Sequence, residues 1–122
     1  MEFFIFRNMT IERFFSKYKA SFSGYEDISF IDPDAERYIW FYLSPIKTNN
    51  KVIAAKIRNY IDLLKLTISR IPPSKTLIVF TINDIYSINT ITGDSDIKEA
   101  VKYYNSTLYE LALEHNNIKV LD

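Results

Sequence analysis

An α/β domain built on a mostly parallel five-stranded sheet is what this sequence predicts, and three observations carry that prediction. Short apolar runs alternate with longer stretches of helical periodicity along the whole chain. The run Tyr38-Ile39-Trp40-Phe41-Tyr42-Leu43 is apolar on both sides of a pleat, the mark of a central strand covered on both faces. The opening run, Phe3-Phe4-Ile5-Phe6, breaks at Arg7-Asn8-Met9-Thr10 and passes at once into a helical pattern. An α/β sheet places polar residues at the mouth of its ligand crevice in this way.

After the first strand, Ile11, Phe14, Phe15, Tyr18 and Phe22 recur at helical spacing, with Thr10 placed to cap and Gly24 to stop, so a first amphipathic helix is expected. Asp27 to Ile31 reads as a short second strand, and Asp32-Pro33-Asp34-Ala35-Glu36-Arg37 as a turn or a single helical turn. Tyr38 to Leu43 is the third strand. Ser44 to Asn50 is polar and leads into a long helix, whose stripe of Val52, Ile53, Ile57, Tyr60, Ile61, Leu64 and Ile68 runs until Pro72-Pro73 ends it. Thr76 to Ile82 supplies the fourth strand, and a loop from Asn83 to Asp94 follows. A third helix is capped by Asp96 with Glu99 three residues on, and its face carries Ile97, Val101, Tyr104, Leu108 and Leu111. Ile118 to Leu121 is the fifth strand.

This succession gives a doubly wound, three-layer sheet of flavodoxin-like order, in which the second and third strands flank the first. The segment from Ile31 to Arg37 must then cross the first strand. At about 3.3 Å per extended residue its length is roughly 23 Å, just enough for one strand length and a sideways step. The alternative is an antiparallel pairing of the second and third strands. A doubly wound sheet also needs helices on both faces, and these residues end on a strand, so the final covering helix is lacking and one face should be bare. Either another chain covers it, or residues 1–122 are one α/β domain at the front of a longer protein.

The chain has 122 residues, enough for one domain with one core. Fifteen basic and fifteen acidic residues cancel with no block of like charge, so there is no electrostatic footprint for nucleic acid. No cysteine is present, which removes disulfides and thiolate metal sites. Glu2 stands where a signal peptide would be basic, and the first apolar run is too short for a membrane span, so the cytoplasm is expected and no membrane association. Asn8-Met9-Thr10 and Asn105-Ser106-Thr107 match the glycosylation sequon, which without a secretory route is a chance match.

The crevice of such a sheet lies at the carboxyl ends of the first and third strands, bringing Asn8 and Thr10 near Ser44, Lys47, Thr48 and Asn49, with Asn83, Asp84 and Tyr86 bordering from the fourth. Asn8, Thr10, Ser44, Lys47, Asn83 and Asp84 are therefore the candidate ligand-binding residues, suited to a sugar, a carboxylate or a phosphate. The same residue types also cap helices and end strands, and residue by residue that use is the commoner one. Asp32-Pro33-Asp34 with Glu36 offers paired carboxylates at a turn, where a structural role outweighs a metal site. The single histidine, His115, falls in the last turn of the third helix, at the end of the sheet opposite the crevice, so no Ser-His pair can be built with Ser44 or Thr10. Dinucleotide and P-loop sites need glycines after the first strand, and none is there.

Arg7-Asn8-Met9-Thr10-Ile11-Glu12, the strand Tyr38 to Leu43, and Tyr103-Tyr104-Asn105-Ser106-Thr107-Leu108-Tyr109-Glu110-Leu111 running into Asn117-Ile118-Lys119-Val120-Leu121-Asp122 resemble the N-terminal region of haloacid-dehalogenase-type phosphatases of subfamily IIIC. Some members of that family load a glyceryl unit onto an acyl carrier protein. In that family the region is similar to an SGNH-hydrolase fold, which carries a nucleophilic serine after its first strand, an asparagine after its third and an acid-histidine pair after its fifth. This chain departs at each place. Asn8-Met9-Thr10 stands for Gly-Asp-Ser, and Ser44-Pro45-Ile46 replaces Gly-x-Asn-Asp; the acid-histidine loop would begin where these residues end at Asp122.

The resemblance implies a non-catalytic SGNH-like module that positions a substrate or an acyl carrier for a downstream phosphatase-type domain in biosynthesis. No cofactor belongs to these residues; magnesium would serve the downstream domain. Two other readings stand beside it. One is an SGNH-type esterase or acyltransferase using Ser44 or Thr10 with a histidine from beyond residue 122, and the other a stand-alone interaction domain that covers its bare face as a homodimer.

Overall fold

The computed structural model describes residues 2–44, 50–82 and 95–122. The elements are β1 (Glu2–Arg7), a single 3-10 turn (Glu12–Phe15), β2 (Lys19–Tyr25), β3 (Arg37–Phe41), α1 (Asn50–Arg70), β4 (Thr76–Phe80), α2 (Ser95–Glu114) and β5 (Ile118–Leu121). The strands form one sheet in the order β2-β1-β3-β4-β5, and every neighbouring pair is parallel. The expected α/β class and flavodoxin-like order hold, and the antiparallel alternative for the second and third strands is excluded.

Strand order dictates which face each connection takes, since parallel crossovers are right-handed. The steps β3 to β4 and β4 to β5 go the same way, so α1 and α2 share a face. Phe4, Phe6, Tyr38, Trp40, Tyr42, Leu77, Val79 and Ile118 point from the sheet into that helix layer, meeting Ile57, Tyr60, Ile61 and Leu64 of α1 and Ala100, Tyr104 and Leu108 of α2. The link from β2 to β3, residues 26–36, recrosses β1 on the same side, with Ala35 buried in the core and Ile28 and Ile31 packed against it. Its carbonyls hold it down: Ile28 O accepts from the Arg70 guanidinium at 2.9 Å, while Pro33 O and Ala35 O accept from Lys75 Nζ at 2.6 and 2.8 Å.

The step from β1 to β2 runs the other way and takes the opposite face, where the third layer is thin. Among the described residues only Ile5, Ile11 and Ile39 are buried there, rimmed by partly buried side chains such as Phe3, Phe15, Phe41, Ile78 and Phe80. No helix covers this face among the described residues.

Two expected elements need correction. The helix expected over Ile11 to Phe22 is a 3-10 turn followed by a strand, and the strand expected at Asp27 to Ile31 is part of the recrossing link. Eleven residues, 8–18, are too few for a full helical crossover between parallel strands, which takes a dozen or more. The alternation of Ala20 and Phe22 with Ser21 and Ser23 is the strand signal that helical spacing concealed: the two apolar residues pack on the thin face, and the Ser23 hydroxyl accepts from Arg7 N–H at 3.2 Å. At that point Ile5 pairs with Phe22 but Arg7 with Tyr25, a bulge that re-aims the end of β2. Downstream, Asp27 Oδ1 accepts from Ser29 N–H at 2.9 Å and Asp32 Oδ1 from Asp34 N–H at 2.9 Å. Both are Asx turns, which bend the chain away from any ladder.

Beyond the end of β4, Ile82 is gripped by Asn105 of α2, whose Oδ1 accepts from Ile82 N–H and whose Nδ2 donates to Ile82 O, each at 2.9 Å. The side-chain amide stands in for a neighbouring strand. Replacing Asn105 with Ala strands both backbone groups and is expected to lower the unfolding free energy by about 1–3 kcal/mol. Urea titration should show this as a lower midpoint with an unchanged slope.

Candidate functional site

The switch point of the sheet lies between the carboxyl ends of β1 and β3, because the strand order reverses there. Asn8 leaves β1 at this point and spends its side chain across the gap. Its Nδ2 donates to Leu43 O at 2.7 Å and to the Tyr60 hydroxyl at 3.1 Å, and its Oδ1 accepts from Leu43 N–H at 3.0 Å. Both amide hydrogens are therefore committed. Ser44, next along from Leu43, is buried at 3 % exposure. Thr10 does not join them: its hydroxyl pairs with that of Tyr25 at the end of β2, on the far side of β1. Of the predicted site, the structure thus brings Asn8 and Ser44 to one place and sends Thr10 elsewhere. Lys47, Asn83 and Asp84, with Thr48, Asn49 and Tyr86, lie outside the described residues.

Arg7 closes the β2 side. Its guanidinium donates to Ser23 O at 2.8 Å and pairs with Glu12, and it lies over the rings of Phe22 and Tyr25 at 5.0 and 4.9 Å. An arginine held by a carboxylate, a carbonyl and two rings has little charge left for an anionic ligand.

Beneath the switch point sits an aromatic layer. Trp40 and Tyr42 stack at 4.1 Å with planes 3° apart, and Tyr60 meets Tyr42 edge-on at 4.8 Å. Trp40 Nε1 donates to the Tyr104 hydroxyl at 3.0 Å, and the Tyr38 hydroxyl donates to Asp32 O at 2.6 Å. Tyr42 differs, since its buried hydroxyl has no hydrogen-bond partner among the described residues. Burial pushes the Tyr42, Tyr104 and Tyr60 phenols above their ordinary range; the Glu26 carboxylate adds to this for Tyr42 and Tyr60, and the hydrogen bond from Asn8 opposes it for Tyr60. These phenols therefore stay protonated at neutral pH. The nearby negative charge of Glu26 also works against a phosphate in the crevice.

His115 follows α2 at the amino end of β5, where its N–H donates to Leu111 O at 2.9 Å, and it is a whole strand away from Ser44. No group of three or more His, Asp or Glu side chains converges as a metal site among the described residues. Asp32 is taken up by its own turn, through Asp34 N–H and the Tyr38 hydroxyl. Among the described residues, no helix is long and apolar enough to cross a membrane.

Sequence reasoning missed Tyr60, Tyr25 and Asn105 as polar partners. Tyr60 hides in a helical stripe that reads as core. An asparagine on the sheet-facing side of a long helix, as Asn105 is, was the one available signal, because asparagine is a poor helix former without a use for its amide.

The hydroxyls give a paired test. Tyr42→Phe removes an unmet polar group and should leave stability unchanged or raise it by up to about 1 kcal/mol, whereas Tyr104→Phe orphans the Trp40 N–H and should cost about 1–3 kcal/mol. In alkali, a phenol whose folded pKa lies above its unfolded value leaves the folded state holding more protons than the unfolded one. The stability that these phenols contribute is thus complete below about pH 10 and falls as pH rises further. Denaturant titrations across that range should show a declining midpoint, with the buried phenols ionising only as the chain unfolds.

Comparison of the chain with family models, with curated proteins and with solved structures gave no match, so the reading of this site rests on its own residues.

Proposed function

We propose that this domain is a non-catalytic, cytoplasmic α/β module that positions a substrate or an acyl carrier for a phosphatase-type catalytic domain. The observation that carries the non-catalytic part is the filled switch point: Asn8 bridges Leu43 and Tyr60 where a ligand would otherwise insert. A serine nucleophile also needs a base, and the only histidine of these residues is at the other end of the sheet. The phosphatase-type partner is supported by the resemblance of Arg7 to Glu12, Tyr38 to Leu43 and Tyr103 to Asp122 to the SGNH-like region that precedes such domains. Any magnesium ion would serve that catalytic domain.

One observation favours a second reading, a stand-alone interaction domain. The sheet face opposite α1 and α2 is apolar and bears only the 3-10 segment among the described residues. A bare apolar sheet face is a surface for contact.

The proposal predicts no hydrolysis of p-nitrophenyl acetate above the buffer rate, by the wild-type domain or by Ser44→Ala. Turnover that Ser44→Ala abolishes would instead make it an SGNH-type esterase. For the carrier, titration of isotopically labelled domain with a phosphopantetheinylated acyl carrier protein should shift a contiguous set of amide resonances. An unchanged spectrum at millimolar carrier removes that part of the reading.

A further inference from the structure

The open sheet face has a shape and a charge pattern that select among occupants. Strand register sets its rows: Phe3, Arg37 and Thr76 at the amino end; Ile5, Ile39, Ile78 and Lys119 in the middle; Arg7, Phe41, Phe80 and Leu121 toward the carboxyl end. Phe15 at the end of the 3-10 turn and Tyr18 just after it form a wall on one side, and Leu121 of β5 forms the other. Between them lies an apolar groove of about 190 Å³ floored by Ile39, Ile78 and Phe80. It continues, through the shared Ile78 and Leu121, into a hollow of about 260 Å³ bounded by Arg37 and Lys119. The uncovered strands β3, β4 and β5 span two strand spacings, roughly 10 Å, about the width of one α-helix and not of two.

Charge sets the direction. Arg37 and Lys119 are exposed and make no ion pair among the described residues, whereas Arg7 is already matched by Glu12. The groove is therefore apolar along its length, with one free cation, Arg37, at its amino end and a second, Lys119, on the middle row of its β5 side. Helices lie nearly antiparallel to parallel strands, as α1 and α2 do in connecting β3, β4 and β5 on the other face. A helix laid on the open face in that sense points its carboxyl end, with its partial negative charge, at Arg37, and passes Lys119 one row further in. A second copy fits worse. Two open faces brought together add four unmatched cations, and among the described residues no free carboxylate stands in the rows of either face.

We propose that this face docks an amphipathic α-helix of a partner protein, with the helix's apolar stripe on Ile39, Ile78 and Phe80 and carboxylates of its carboxyl-terminal turns against Arg37 at the end of the groove and Lys119 one row further in. The inference rests on the interaction-domain reading above and supplies the chemistry of the partner.

The probe is a hydrocarbon-stapled peptide of about sixteen residues, with leucines at i, i+3, i+4 and i+7 spacing and two glutamates in its last turn. A matched peptide carries the glutamates in its first turn. Fluorescence anisotropy with the intact domain should give about tenfold tighter binding of the first peptide. The double substitution Arg37→Glu with Lys119→Glu, both at exposed positions that leave the fold intact by circular dichroism, should abolish or reverse that preference. Ile78→Asp should remove binding of both peptides. Equal binding of the two peptides, or none, overturns the proposal. Sedimentation that shows a dimer dispersed by Ile78→Asp assigns the face to a second copy and overturns it as well. A dimer dispersed by Ile78→Asp leaves the interaction-domain reading standing while this proposal fails, whereas a monomer that binds neither peptide fails both, so the two failures are distinguishable.

Discussion

The indole of Trp40, fully buried toward the carboxyl end of β3, needs an acceptor for its N–H, because an unmet buried donor costs about 1–3 kcal/mol. Tyr104 of α2 supplies it at 3.0 Å, which locates α2 over the sheet. Two residues on, Tyr42 stacks on the same indole, and Tyr60 of α1 packs edge-on against Tyr42. Both helices are thus registered against one strand through aromatic rings, whose contacts have preferred angles that aliphatic side chains lack. The chain of contacts runs on from Tyr60 to Asn8 and back to β3 at Leu43. Core and switch point are one network, so a residue that closes the crevice also holds the helix layer in place.

The two faces of the sheet differ because the connections differ in length. On one side, helices of 21 and 20 residues bury a continuous core. On the other, the β1 to β2 link has room for only one 3-10 turn, and the buried set shrinks to Ile5, Ile11 and Ile39. Rings compensate in part: Phe15 meets Phe41 and Phe22 edge-on, and Phe3 meets Tyr18. They cover the β2–β1 half of the face. The β3–β4–β5 half keeps half-buried Ile78 and Phe80 and an exposed Leu121, which is where contact with another molecule removes the most apolar surface from water.

Much of this was legible in the sequence. The runs Tyr38 to Leu43 and Thr76 to Ile82 and the stripes of α1 and α2 carry strong single periods, so strand order and class followed from them. The segment from Ile11 to Phe22 misled because its aromatic residues satisfy a helical period across what are two elements, a turn and a strand; loop length between parallel strands was the stronger constraint. At the switch point, Asn8 and Ser44 were placed at adjacent strand ends by topology alone. What Asn8 does there depended on Tyr60, 52 residues away, in the middle of a stripe that looks purely apolar. A contact of that range leaves no local pattern.

The two Asn-x-Thr matches gain a physical reading from their surroundings. Asn8 and Asn105 each offer a carbonyl oxygen and an amide N–H to one backbone unit just past the end of a strand, Leu43 after β3 and Ile82 after β4. A side-chain amide is the one neutral group that reproduces a neighbouring strand's donor and acceptor together. In an open α/β sheet those terminal backbone groups are what a ligand at the carboxyl ends would meet. Here the chain meets them itself, with each Nδ2 bonded to a carbonyl. On the described part of this domain, the groups still unmatched lie on the apolar face opposite the helices, with Arg37 at its amino end and Lys119 on its middle row.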